Sequence, residues 1–407
     1  MNRGQGSASV HGVCTCLLCL LSFLRLSIAL EELGRTMKFG LFYEMYVPPD
    51  DIKDPGAEAR IIRETVDQIV YADQLGWDYV WLTEHHFLRQ FSHMSAAEVL
   101  FGAAAYATEH IRFGFGLALT PPKYNHPVRI AERVAMLDCL SNGRVDLGTG
   151  RSTTPAELLG FDIDPDESRE MWEEGLEAVA RLLAYEDVSL DGKYVTMPPR
   201  TSLPRPVQKP HPPLWVGGVG PGNAERAAKR GLGMLFFAVN TAPEALAESI
   251  AAYRANIGDA KPYAGGVNNQ VAGFVNSLCA EPEKRDEVRW LAATKMVEHT
   301  RHGSHFMTTG WPDPDNVPAS YAHVFQGDTM DFKKAIEADP DAVAQGILDS
   351  GMVAAGTPDD VLEVLQRFKD VGVDQVIVHM QMGGVPHDDI MKTIELMGKE
   401  VLPKLRS

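Results

Sequence analysis

Hydrophobic positions along the chain follow two alternating patterns, short apolar runs and longer segments with helical spacing. The first run is Lys38–Tyr43. The segment from Glu58 to Leu75 comes next, with apolar residues recurring three and four positions apart until Gly76. The same alternation returns along the rest of the chain, with a helix predicted after each strand. The predicted strands are 38–43, 79–83, 111–119, 144–148, 214–216, 234–237, 271–279 and 375–379.

This alternation predicts the α/β class, because strands separated by helices form a parallel sheet with right-handed crossovers. Eight strands favour a closed (β/α)8 TIM barrel over an open sheet. No linker divides residues 37–407 into two compositions, so we expect one domain there. The stretch 302–353, before the last repeat, has little periodicity and is too long for a plain connection. We interpret it as a lid-like insertion over the active site.

Residues 1–36 differ from the rest of the chain. Residues 13–30 are apolar, but Arg25 interrupts them and would be costly inside a membrane. As a secretory signal the segment has a thin basic start, with only Arg3. A complete first strand begins directly after Met37. We therefore interpret residues 1–36 as a leader or a wrongly assigned start that is not part of the fold.

Composition narrows the class of protein. The formal net charge of -17 argues against a nucleic-acid partner, because phosphate binding needs concentrated Lys and Arg. Three of the five cysteines, Cys14, Cys16 and Cys19, lie in the first twenty residues. Cys139 and Cys279 alone are no disulfide framework, which predicts a reduced, cytoplasmic protein. We expect no membrane partner.

A candidate acid–base group follows the second predicted strand, as Glu84-His85-His86. In a TIM barrel the active site lies at the carboxyl ends of the strands, which is where this triplet falls. Histidine suits proton transfer near neutral pH, and an adjacent carboxylate can orient or charge it. A structural role is about as common for such a pair. A metal site is disfavoured, because consecutive side chains on an extended chain point apart.

Two further strand ends carry residues suited to a phosphate. Gly150 lets a flat ligand approach the backbone, and Arg151 supplies a planar fork of donors. Arg169, near a helix start, could equally form an ion pair within its helix. After the fifth strand, a glycine-rich turn feeding a helix offers backbone N–H groups to an anion, although such turns are common. Its residues are Gly218, Val219, Gly220, Gly222 and Asn223.

The turn is not a dinucleotide-binding fingerprint, because that motif should follow the first strand of a βαβ unit and the spacing fails. Tightly bound NADH is therefore not expected.

Taken together, the span from Met37 to the C-terminus resembles the bacterial luciferase-like monooxygenases. Several ordered blocks carry the resemblance, so chance agreement is very improbable. The blocks are 37–40, 80–87, 126–132 with 137–138, 141–144 with 148 and 151, 168–169, 227–231 and 356–358.

The resemblance implies that FMN binds at the carboxyl face of a TIM barrel. His85, flanked by Glu84 and His86, would be the acid–base residue beside the flavin. Arg151 and Arg169 would hold the flavin phosphate. The glycine-rich turn 218–223 would complete the phosphate site, although it lacks the acidic and hydroxyl side chains that luciferase carries there.

Two further positions matter in the same comparison. Gly116 and Leu117 match a non-prolyl cis peptide under the isoalloxazine ring. Gly150 stands where luciferase has a reactive cysteine, so light emission is not implied.

The function expected from these residues is a monooxygenase that uses reduced FMN and O2 to oxygenate a small organic substrate. The resemblance implies that a separate flavin reductase supplies the reduced FMN and that the chain forms a homodimer. Two alternatives stay open. One is a deazaflavin-dependent hydride-transfer oxidoreductase, and the other is a non-catalytic flavin-binding subunit.

Overall fold

The structure is a computed structural model that describes residues 36–237, 241–313, 317–319, 321–325 and 328–406. The compact unit begins at Lys38. Residues 1–35 lie outside the described part, so their interpretation as a leader or a wrongly assigned start stays a prediction.

Eight of the strands fall where the apolar runs predicted them. In chain order the strands are β1 Lys38–Tyr43, β2 Tyr79–Leu82, β3 Arg112–Leu119, β4 Val145–Gly150, β5 Val188–Asp191, β6 Thr196–Arg200, β7 Leu214–Gly218, β8 Gly233–Phe236, β9 Val271–Cys279, β10 Val353–Gly356 and β11 Gln375–His379. Strands β5, β6 and β10 were not predicted.

Helices separate the strands, and several have a proline in the first turn, where its missing N–H costs nothing. They are α1 Ala57–Gln74, α2 Ala97–Tyr106, α3 Pro127–Leu140, α4 Pro155–Gly160, α5 Ser168–Ala184, α6 Pro221–Lys229, α7 Ala247–Asn256, α8 Arg285–Thr308, α9 Asp328–Ala338, α10 Pro340–Ser350, α11 Pro358–Asp370, α12 His387–Leu396 and α13 Leu402–Arg406.

Eight parallel strands close into a barrel. They pair in the order β11-β1-β2-β3-β4-β7-β8, and β9 completes the ring by pairing with both β8 and β11. The predicted (β/α)8 TIM barrel is confirmed, and all eight predicted strands belong to it. β10 pairs with β9 only at the far end of that strand, from Asn276 to Cys279.

The antiparallel hairpin β5–β6 was not predicted. Pro198 and Pro199 lie inside β6, and proline argues against a strand because it cannot donate to the ladder. The hairpin lies in its own small sheet, where these prolines are tolerated.

The stretch 302–353, in which no helix was predicted, is largely helical in its described part. It contains the last turns of α8, then α9 and α10. Asp339 caps α10 by accepting a hydrogen bond from the Ala342 N–H at 3.0 Å. The periodicity is weak because α10 buries only Ala344 and Ile347.

Large aromatic rings fill the barrel interior, and small residues make room for them. Trp81 of β2 meets Trp215 of β7 edge-on, with ring centroids 5.4 Å apart. Gly114 on β3 lies so close that an added Cβ would stand 2.2 Å from Trp81 Cε3. The buried Asp146 accepts hydrogen bonds from Trp215 Nε1 at 3.0 Å and Arg112 Nε at 2.7 Å.

We expect Gly114→Ala to destabilise the barrel by about 1–3 kcal/mol, because the new methyl group must displace a fully buried indole. Gly102→Ala is the matched control. Nothing lies within 4 Å of its added Cβ, and alanine in a helix is up to ~1 kcal/mol more favourable than glycine. Thermal melting followed by circular dichroism should show a lower midpoint for the first variant and an equal or higher one for the second. Equal midpoints would contradict the packing at Trp81.

Candidate active site

His85 lies at the carboxyl end of β2, and a carboxylate from a distant part of the chain orients it. Its Nδ1 is 3.0 Å from Oε1 of Glu157, in helix α4. The Glu157 side chain is fully buried, whereas about a fifth of the His85 side chain is exposed. The backbone N–H of His85 donates to the Met94 carbonyl at 2.7 Å. The ring is therefore held, with Nε2 left for a ligand.

The local fold around helix α4 explains how Glu157 is held. Thr154 is the N-cap residue, and Glu157 is three residues later, the spacing of a capping box. Two hydroxyls donate to the carboxylate, Ser152 Oγ and Thr154 Oγ1, each at 2.6 Å. The backbone N–H of His86 donates to it at 3.0 Å. Sequence analysis missed Glu157, and its Thr-Pro-x-Glu pattern signals only a helix start.

Charge couples the two members of the pair. Burial alone would lower the pKa of His85, but the charge of Glu157 and its hydrogen bond outweigh burial and raise that pKa. Burial would likewise raise the pKa of Glu157, and the neighbouring imidazole lowers it. Near neutral pH the pair is an anionic carboxylate beside an imidazole that keeps its proton to higher pH than a free histidine.

The side chains of Glu84 and His86 have other partners than this pair. The Glu84 carboxylate accepts the Leu119 N–H at 2.8 Å and an Asn125 N–H at 3.1 Å, and it contacts His86 Nε2 at 3.2 Å. The His86 ring packs among aromatic rings, including Tyr124. The structure thus pairs His85 with Glu157 instead of with its neighbour, and Glu84 ties the end of β2 to β3.

Two guanidinium groups lie in one another's electrostatic field next to the end of β4. Arg151 Nη1 donates to Ser168 Oγ at 2.7 Å, and its guanidinium carbon lies 4.3 Å from the Tyr321 ring centroid. Burial and the adjacent charge of Arg169 lower the pKa of Arg151. Arg169 is half-buried and forms no salt bridge in the described part of the chain. Two cations in one another's field form a site that an anion would stabilise.

Tyr321 belongs to the predicted lid and was not recognised in the sequence. Its hydroxyl lies 2.9 Å from Ser168 Oγ and 3.4 Å from the Ser152 carbonyl. Trp311, from the same stretch, packs against its ring with centroids 5.2 Å apart. The stretch 302–353 thus contributes to the covering of Arg151.

Leu117 forms an apolar platform beside these cations. The predicted cis peptide between Gly116 and Leu117 is present. A Cβ at Gly150 would lie 2.8 Å from Leu117 Cδ1, and one at Gly217 would lie 2.5 Å from it. The side chain is only partly buried. Glycine at both positions is therefore what lets Leu117 lie flat over β4 and β7.

The glycine-rich turn continues from β7 into α6. The register places Thr149 beside Val216, so this turn leaves the barrel next to Arg151. Gly220 has φ of 82°, a conformation that favours glycine. The Asn223 amide donates to the Val219 carbonyl at 2.6 Å. Asn223 thus closes the turn, and Gly218, Val219 and Gly222 present mainly backbone.

Backbone strain is concentrated at the same rim. Three non-glycine residues with positive φ each follow a barrel strand: Met45 at 57°, Phe87 at 65° and Ser152 at 71°. Such conformations cost about 1–3 kcal/mol and persist where the surroundings impose them, often at functional sites. His85, Leu117, Arg151 and the turn come from β2, β3, β4 and β7, which are consecutive around the barrel.

Comparison with known proteins gives a family match over most of the chain. The family described as luciferase-like monooxygenase matches residues 37–375. Limonene 1,2-monooxygenase of Rhodococcus erythropolis is 26% identical over 319 residues, which are 76% of this chain and 72% of that protein. The oxygenase component of a flavin-dependent trigonelline monooxygenase of Acinetobacter baylyi is 29% identical over 197 residues, 48% of this chain and 52% of that protein.

A solved structure extends the match. The monooxygenase RslO1 from Streptomyces bottropensis is 28% identical, with a TM-score of 0.72 over 90% of this chain and 99% of that chain. Several of the sequence matches are shorter: the chain spans about half the length of these curated relatives. Among the described helices, none is long and apolar enough to cross a membrane.

We expect Glu157→Gln to lower the pKa of His85, because the amide keeps the size of the side chain but removes the negative charge. NMR titration of the His85 Cε1–H, assigned with a His85→Ala variant, measures the change. Glu84→Gln is the control, because the Glu84 carboxylate contacts His86 and raises the pKa of His85 less than Glu157 does. An equal pKa shift in both variants would contradict the assignment of Glu157.

Proposed function

The chain belongs to the luciferase-like monooxygenase family, and on that premise we propose that it is an oxygenase using reduced FMN and O2 on a small organic substrate. The observation that carries the proposal is the pair of guanidinium groups, Arg151 and Arg169. They lie beside the Leu117 platform, at the rim of the barrel that also carries His85. Adjacent strands thereby supply cations for a phosphate, an apolar surface for a planar ring system and a group for proton transfer.

The residues fit the phosphate end of FMN. The planar donors of an arginine match the geometry of a phosphate, and two of them offset its charge. Ser168, already bonded to Arg151, adds a hydroxyl. The N-terminus of α6, following Gly220, adds backbone N–H groups and a partial positive charge.

The residues also fit the ring end. Leu117 offers an apolar surface against which a flat heterocycle can stack, and the glycines beneath it keep that surface level. The flavin, when bound and reduced, supplies the electrons for oxygen chemistry. The roles left to this chain are to hold the ring, to hold or move a proton at His85 Nε2, and to keep water out.

Water exclusion is assigned to the stretch 302–353, which we propose is a lid. The support is the packing of Trp311 and Tyr321 against Leu119 and Leu158, close to the guanidinium pair. A lid that reaches Arg151 can cover the cofactor after it has entered.

A separate flavin reductase and a second copy of this chain are the proposed partners. The trigonelline relative is named as an oxygenase component, which supports a two-component arrangement. An exposed apolar face on α2 and α3 supports a homodimer, because monomers seldom leave such residues uncovered in one place. Its residues are Val99, Tyr106, Met136 and Leu140.

Replacing Arg151 with Met should weaken the binding of FMN by about 10–100-fold and change the binding of riboflavin much less, because riboflavin lacks the phosphate. Fluorescence titration with both flavins measures the ratio of their affinities. Arg200→Met is the control, since Arg200 is exposed on the β5–β6 hairpin and its side chain donates to the Pro199 carbonyl. An unchanged FMN-to-riboflavin ratio in Arg151→Met would remove the phosphate assignment.

The deazaflavin alternative is tested by titrating the pure protein with reduced FMN and with the reduced deazaflavin cofactor. We expect the protein to bind FMN and, with substrate, to consume O2. Tight binding of the deazaflavin without FMN binding would favour hydride transfer. Absence of turnover with reduced FMN, O2 and any substrate would favour the non-catalytic alternative, and unchanged turnover in His85→Ala would remove the catalytic role of His85.

A further inference from the structure

A second carboxylate–imidazole pair lies at the rim that carries His85. Glu44 follows β1, and His299 comes from α8. His299 Nε2 is hydrogen bonded to Glu44 Oε2, and both side chains are about nine-tenths buried. The Phe91 ring contacts both imidazoles, with centroids 5.5 Å from His85 and 4.8 Å from His299. The proposed function uses neither Glu44 nor His299.

This pair has the geometry of an acid–base dyad. Burial would raise the pKa of Glu44, but the charge and hydrogen bond of His299 lower it to about 2, so the carboxylate is ionised and accepts. His299 Nε2 donates this hydrogen bond, so in the neutral form of the ring the lone pair lies on Nδ1. In the described part of the chain, Nδ1 makes no hydrogen bond. The arrangement repeats that of Glu157 and His85, with the ring nitrogens exchanged.

His379 adds a neutral polar group to the pair. It ends β11, and its Nε2 stands 3.9 Å from Glu44 Oε2. Burial lowers its pKa to about 3, so the ring is uncharged. Its Nε2 is buried and has no hydrogen-bond partner among the described residues. An unsatisfied buried nitrogen is costly, and an oxygen atom of a ligand would satisfy it.

An aromatic floor runs from the Leu117 platform to this cluster. Leu117 and Phe237 both crowd the position where Gly217 would carry a Cβ. Phe237 stacks on Phe274 with centroids 4.2 Å apart, and Phe42 lies edge-on to Phe274 at 5.1 Å and to His379 at 5.4 Å. Leu117 and Phe237 are the partly exposed members. A flat apolar molecule on this floor would direct a polar group at the cluster.

The same three side chains could hold a metal ion, since their donor atoms lie within 4.8 Å of one another. The direct hydrogen bond between Glu44 and His299 favours a proton site, because the nitrogen that donates it carries a proton and offers no lone pair to a metal. Ligands around a metal are held by the ion and not by each other.

We propose that His299, oriented by Glu44, is a second acid–base residue of this enzyme, and that with His379 it binds the hydroxyl of an aromatic substrate. The substrate's O–H bond breaks, the proton moves to His299 Nδ1, and the electron pair stays on the substrate oxygen as a phenolate. His379 Nε2 shares a hydrogen bond with that oxygen. This inference rests on the proposed function for the neighbouring flavin and names the substrate class as hydroxyaromatic.

The test compares 4-nitrophenol with 4-nitroanisole, its methyl ether, on FMN-loaded protein without reductant. We expect the phenol to bind about 10-fold or more tightly than the ether, because only the phenol can bond to His299 and His379. Below the solution pKa of the phenol, the bound probe should show the visible absorption of its phenolate. His299→Gln and Glu44→Gln should lose both the preference and the phenolate absorption.

His302→Gln is the matched control, with the same substitution one turn further along α8. His302 Nδ1 contacts Tyr46 Oη at 3.1 Å and not Glu44, so the variant should keep both signals. Among the described residues, the titratable groups around His299 are Glu44, His379, Tyr46 and His302, with His85 acting through Glu44. Glu298 and Arg301, on the same helix, act on the neighbouring His302.

Three results would overturn the proposal. They are equal affinity for the phenol and the ether, an unchanged preference in His299→Gln, and a stoichiometric metal in the purified protein that His379→Ala removes. Should His299→Gln fail to fold, the comparison of the two probes on the unmodified protein still decides. No turnover is involved, and the probes can also be titrated without FMN. Failure of the flavin assignment is thereby distinguished from failure here.

Discussion

Closure of the barrel through β9 is the constraint on which the rest of the structure depends. β9 pairs with β8 on one side and β11 on the other, and this closes the ring between them. Because all eight strands are parallel, every strand ends at the same rim. Residues as far apart in sequence as Glu44 and His379 therefore meet there without any direct connection. An open sheet would leave the ends of β8 and β11 on opposite edges.

Much of the fold could be predicted, because strands that are buried on both faces have continuous apolar sequences. The eight barrel strands are of that kind. β6 was missed because two prolines contradict a strand, and α10 because it buries too few residues to show a period. The local pattern of apolar residues shows how an element is buried. Elements that bury few residues are therefore missed.

A site residue could be predicted only where a local sequence motif marks it. His85, Arg151 and the cis peptide at Gly116 could be placed from their strand ends and the family resemblance. Glu157 could not, since it reaches His85 across 72 positions. His299 could not be predicted either, because it contacts Glu44 across 255 positions of the sequence. Such partners depend on how distant segments come together in three dimensions, and the spacing of residues along the sequence does not show this.

The packing of Tyr321 on Arg151 has a thermodynamic consequence. A residue of the proposed lid and a residue of the proposed phosphate site share one contact, so under the proposed function opening of the lid and occupation of the site are linked equilibria. Linkage is reciprocal: whatever free energy a bound anion adds to the closed segment, the closed segment adds to the binding of that anion. Escape of the ligand and exposure of the rim to solvent are then governed by one coupling constant.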